Sequence, residues 1–163
     1  MKPILTAALA LAVAAAALPA AAQTAGQIAR VRGGSGCAGC NLFQGDFTGL
    51  EARGLNLGGA RLRQANLSLS VMNRTRFSNA DLRDVNAYGG VFSSSSFAGA
   101  NLTNASFVGA YLDGANFSGA TLSGANFAGA SLQRARGLSQ GRLNQACGDA
   151  ATQLPPGLTI PHC

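Results

Sequence analysis

Four cysteines, one histidine and six acidic residues are the side chains with which this 163-residue chain could do chemistry. Cys37-Ala-Gly-Cys40 has the C-x-x-C spacing of redox dithiols and of half a zinc site. A redox pair expects a βαβ context, and none surrounds it. A zinc site wants two further ligands, and His162 is the single histidine. A Ser-His-Asp arrangement would have to recruit that same tail residue. Asp81 and Asp84 are close in sequence, but one points outward and the other falls at a corner. Acid–base work by paired carboxylates also needs a pocket. The glycines recur at turn spacing and not as a phosphate-binding loop. The expectation is no catalytic, cofactor or metal site, hence no enzyme.

The elements that would position these residues begin with a leader. Met1-Lys2 gives a positive start, Ile4 to Leu18 is uncharged and rich in Ala and Leu, and Pro19 interrupts it. Ala20-Ala21-Ala22 then offers a small-residue cleavage site. This is the three-part layout of a secretory signal peptide, expected over residues 1–22. The apolar run is shorter than the roughly 20 residues needed to span a bilayer. The residue directly after the cleavage point is Gln23 and not Cys, which argues against a lipid anchor. The expected location is the bacterial periplasm or the extracellular space. Outside the cytosol an even cysteine count favours disulfides. Proximity in sequence favours Cys37–Cys40 and Cys147–Cys163. Loss of Lys2 leaves eleven arginines against six acidic residues, a net charge of +5.

From Cys40 to Arg134 the chain repeats every five residues without insertion, over 95 residues or 19 units. A clear stretch reads Ala115-Asn-Phe-Ser-Gly, Ala120-Thr-Leu-Ser-Gly, Ala125-Asn-Phe-Ala-Gly. In an extended segment the large apolar residue and the small residue two before it point the same way, and the residue between them points out. The last two positions, rich in Gly, Ser and Asn, suit a tight turn. A Gly every five residues is incompatible with a helix. Where the large position shrinks to Ala52 or Ala87, the small one grows to Leu50 or Val85, as a filled interior demands. Leu42, Leu62, Leu82, Leu102 and Leu122 recur at twenty, which predicts four sides per turn and about five coils. At one strand spacing per coil the rod is roughly 23 Å long.

These Ala-Asn-Leu/Phe-x-Gly units resemble the pentapeptide repeat family. The resemblance implies an all-β solenoid, a right-handed four-sided β-helix. Leu50-Glu-Ala-Arg-Gly and Gly90-Val-Phe-Ser-Ser depart from the pattern locally. Some cytoplasmic members of the family bind DNA gyrase by mimicking DNA. That alternative role needs an acidic rod in the cytosol, and this chain is basic with an export layout.

A solenoid needs caps. Residues 23–39 form an N-terminal segment or cap, 40–137 the β-helix, and 138–163 a C-terminal cap. In that last segment Ser139 is the expected N-cap of a helix from Gln140 to Cys147, with Leu138 and Leu143 as a hydrophobic staple and Gly148 as its stop. Cys147–Cys163 would tie the tail to it. Two outer surfaces are candidates for a partner. One is arginine-rich, with Arg61, Arg63 and Arg83 and with Arg53, Arg74 and Arg76 nearby. The other is the outward column Val71, Val91, Tyr111, an apolar stripe of the kind that marks a partner or a second copy of the chain. The expected role is a non-enzymatic exported scaffold whose partner is a protein or an anionic envelope polymer. Nucleic acid is not expected.

Overall fold

The computed structural model describes the backbone from Ala20 and the side chains from Thr24 to Cys163. Most of the expected leader therefore lies outside the described residues. The first element, α1, spans Ala20–Arg32 and crosses the expected cleavage point. Its Ala, Gln and Arg content favours helix, and Arg30 and Arg32 in the last turn suit the negative end of the dipole. It stops in a Schellman motif. Gly34 takes φ +80° and donates to the Val31 carbonyl, and the Ser35 amide donates to that of Arg30. Val31 is fully buried and Ile28 packs beside it, so α1 covers the open end of the first coil.

The coil that follows has a period of twenty. Parallel bridges join Asn41 to Arg61, Arg61 to Asp81, Asp81 to Asn101 and Asn101 to Thr121, and the other three sides repeat the spacing. Each bridge is a single residue. The extended sides expected from the repeat are therefore too short to make multi-residue strands. The cause is the turn. At each corner from Gln44 to Gly129 the last residue of the unit has positive φ. The next amide then closes back on the large residue, as Gly45 N–H does on the Leu42 carbonyl at 2.9 Å. That is the signature of a type II turn. Only three residues per side remain extended, and the middle one forms the bridge.

One amide per unit, on the first turn residue, has no partner in this ladder. The outward Asn or Asp supplies it. Thr48 N–H donates to Asp46 Oδ1, Ser68 to Asn66, Thr103 to Asn101 and Ala128 to Asn126. Thr103 Oγ1 donates to the same Asn101 oxygen at 2.6 Å. The triplets Asn66-Leu-Ser, Asn101-Leu-Thr and Asn116-Phe-Ser each make this local bond. Where the outward residue is Val91, Ser93 N–H instead reaches Asn73 Oδ1 one coil away.

The interior is closed. Leu42, Leu62, Leu82, Leu102 and Leu122 are all buried in one column. In another column the Phe77, Phe97 and Phe117 rings stack at 5.0 and 5.2 Å, and Phe92 and Phe107 meet Phe97 edge-on. Each such side chain contributes roughly 1.5–3 kcal/mol by burial. Val85 is buried beside Ala87, and Leu50 packs half-buried beside Ala52, so the two substitutions compensate in volume.

Beyond Arg134 the structure differs from expectation. The second helix, α2, is one turn, Gln140–Leu143, and Ser139 makes no side-chain cap bond. Leu143 and Ala146 are both buried, which pulls the chain back onto the coil after that turn. Cys147 then bridges Asn126, Gln153 bridges Ser131, and His162 bridges Gly148. Gly148 does not end a helix but donates to the Pro161 carbonyl. The tail thus continues the ladder with non-repeat sequence. Cys37 is bonded to Cys40, and Cys147 to Cys163.

Candidate functional site

The sides of the coil expose three chemically distinct areas. In the first, the arginines expected to form a basic patch are largely answered by carboxylates. Arg83 donates through Nε and Nη2 to Asp81, at 2.7 and 2.6 Å. Arg63 donates through Nε to Asp84 at 3.3 Å. Arg83 holds the Asp81 carboxyl below the usual carboxylate range, and Asp81 in turn raises the guanidinium. Arg61 bridges Asp81 through its backbone, and its side chain has no partner among the described residues. Geometry therefore turns three expected positive charges into a nearly balanced network.

The second area is the apolar stripe. Bridges place Val71 beside Val91 and Val91 beside Tyr111. Tyr111 is 58% exposed, and the two valines are half-buried. The stripe is wider than the outward column alone. Leu69 is 58% exposed and Tyr88 54%. They meet at the adjoining corner, where Leu69 N–H donates to the Tyr88 carbonyl at 2.8 Å. Sequence reasoning missed these two because they occupy turn positions. The available signal was their bulk where Gly, Ser or Asn is usual.

The third area is a groove along the opposite corner of the same face. One part has a volume of about 280 Å³ and is lined by Arg53, Asn73, Arg74, Ser93 and Ser94. The other, about 270 Å³, shares Arg74 and Ser94 and adds Arg76, Thr75 and Ser96. Backbone bonds run along this corner from Gly54 N–H to the Asn73 carbonyl and from Arg74 N–H to that of Ser93. Arg74 sits at φ 58° and Ser94 at φ 59°, and both side chains are exposed. Thr75 is buried beneath, its Oγ1 without a hydrogen-bond partner.

Elsewhere, Arg134 pairs with Asp113 through Nε at 2.9 Å and lowers its pKa. The Thr48 hydroxyl and amide lower Asp46, and the Gly129 amide lowers Asp149. Among the described residues no three His, Cys, Asp or Glu side chains converge. His162 stands exposed in the tail ladder, bridged to Gly148.

The sequence profile of pentapeptide repeats matches in eight copies, over residues 53–86 and 95–134. No curated protein matches the chain. Solved structures do. QnrB1, a plasmid-mediated fluoroquinolone resistance protein, shares 21% identity over 76% of each chain, with a TM-score of 0.42. Rfr23 from the cyanobacterium Cyanothece 51142 shares 21% over 80% of this chain and 98% of its own, with a TM-score of 0.29. A pentapeptide repeat protein of the Arabidopsis thaliana thylakoid lumen shares 22% over 77% of this chain and 61% of its own, also at 0.29. At these identities the likenesses carry nothing about activity. With eight copies of the repeat matched, and bridges recurring every twenty residues beneath them, residues 53–134 of this chain are a run of pentapeptide repeats.

Proposed function

We propose that the mature chain is a non-enzymatic, exported scaffold that holds a protein partner against one outer face. The observation that carries this reading is the apolar stripe Val71, Val91, Tyr111, extended by Leu69 and Tyr88, on a rigid bridged surface. A monomer in water gains nothing from such a stripe, whereas a partner removes it from solvent. The filled interior supports the absence of catalysis, since it leaves no enclosed space for a substrate. Export to the periplasm or beyond rests on the layout of residues 1–22, and the right-handed sense of the coil on the family. Gyrase binding is not adopted, because the surplus of arginine gives the rod the wrong sign to imitate DNA.

Affinity capture of the native exported protein, compared with Val91→Arg/Tyr111→Asp, tests the reading. A partner, or a second copy, held by the wild type and lost by the variant is the expected result. Identical captures, or a monomer that retains nothing, refute it. Mass spectrometry of the exported form locates the cleavage point, expected after Ala22.

A further inference from the structure

Charge pairing singles out one place on the rod. Four of the eleven arginines are in ion pairs: Arg32 with Asp46, Arg63 with Asp84, Arg83 with Asp81 and Arg134 with Asp113. Arg142 donates to the backbone carbonyls of Phe117 and Gly137. Among the described residues, six have no side-chain partner: Arg30, Arg53, Arg61, Arg74, Arg76 and Arg136. Three of those six, Arg53, Arg74 and Arg76, line one corner groove, and no carboxylate lines it. Glu51 precedes Arg53 by two residues but belongs to the column of Val71 on the adjoining face.

Asn73, Ser93 and Ser94 of the lining can also donate. Asn73 Oδ1 is already engaged by Ser93 N–H, which leaves the Asn73 amide N–H₂ to face a ligand. The Ser93 and Ser94 hydroxyls stand one coil further on. Planar guanidinium forks surrounded by neutral donors match the oxygens of a phosphate group. Arg53 and Arg74 come from successive coils, about 4.8 Å apart by the strand spacing. The two halves of the groove meet at Arg74 and Ser94 and together are several times larger than one phosphate.

We infer that this corner binds a linear phosphate polymer, with Arg53, Arg74 and Arg76 each meeting phosphate oxygens of consecutive groups. The inference extends the scaffold reading to a second surface, the corner at the far edge of that face, and does not depend on the apolar stripe. Its failure would leave the capture experiment untouched, and failure of the capture would leave this groove intact.

The test uses the mature chain with its disulfides formed, titrated by calorimetry at low salt with short-chain inorganic polyphosphate. Orthophosphate and poly-glutamate serve as the single-ion and carboxylate comparisons. The triple variant Arg53→Gln/Arg74→Gln/Arg76→Gln is expected to weaken polyphosphate binding about tenfold or more. Arg30→Gln/Arg61→Gln/Arg136→Gln removes the same charge elsewhere and is expected to weaken it less than about threefold. Arg74→Lys keeps the charge but loses the fork, and should fall between wild type and the triple variant. Unchanged thermal melting shows that the variants fold. Absence of polyphosphate binding overturns the inference. So does equal weakening by the two triple variants, equal binding of poly-glutamate, or orthophosphate binding as tight as the polymer.

Discussion

Replacing Phe97 with Ala removes the ring at the centre of the aromatic column. Phe97 is fully buried and meets four other rings, Phe77, Phe92, Phe107 and Phe117, at centroid distances between 5.0 and 6.1 Å. The neighbours are held by bridges every twenty residues, so they cannot close the void. A Phe→Ala change in such a site costs about 3–5 kcal/mol. Aromatic pairing adds about 0.5–1.5 kcal/mol per pair to burial, part of it already within that range. At roughly 3 °C per kcal/mol, the midpoint should fall about 10–15 °C. Phe97→Leu supplies the aid of a control, since Leu57 occupies the same column, and should cost only about 1–2 kcal/mol. Urea unfolding followed by circular dichroism, with the disulfides intact, measures both losses. An unchanged m-value shows that the same surface is still exposed on unfolding. An Ala variant that loses less than about 1 kcal/mol, or a Leu variant as damaged as Ala, would refute the closed, unyielding interior.

Three further outcomes are expected. Gly109 has φ +67° with open space where a Cβ would stand, so Gly109→Ala should cost about 1 kcal/mol through conformation alone, while Leu69→Gly, at φ 57°, should be neutral or stabilising in the same melting assay. Cys163→Ser opens a loop whose ends are 16 residues apart, which costs about 3 kcal/mol in the chain-entropy model and should appear as a lower urea midpoint under oxidising conditions. Asp46, Asp81, Asp113 and Asp149 all have carboxyls lowered by hydrogen bonds, so their contribution is present above the unfolded value near 3.9 and is lost as pH falls through the lower folded values. The melting temperature should therefore fall progressively below about pH 4, and Asp81→Asn/Asp113→Asn should flatten that fall.

Much of the architecture was legible because it is local. Ala100, Leu102, Ala105 and Phe107 are all buried, as alternation along a short extended side requires. The recurrence of Leu at twenty anticipated the bridges from Asn41 to Arg61 and onward. The outward Asn was read as surface, although it holds the turn amide, because that bond depends on the turn's dihedrals. The expected helix at Gln140–Cys147 was longer than the one turn observed. Its Leu143 and Ala146 spacing reads as helical, but their burial on the last coil is a tertiary contact. Residues 23–39 carry the expectation of an N-terminal segment or cap but not of a helix, since the Ala-rich start of α1 continues the expected leader.

The surface was the least legible part. Arg63 and Arg83 looked like a docking patch when counted as charges along the chain. Their neutralisation by Asp84 and Asp81 depends on how a corner folds and which coil lies beside it. The gathering of Arg53, Arg74 and Arg76 in one groove likewise joins residues from two coils. The sequence by itself determined the period, the inward and outward alternation and the turn positions, because each follows from steric preferences within five residues. Only the tertiary structure decided which outward side chains become neighbours, because that requires the chain to travel twenty residues and return beside itself.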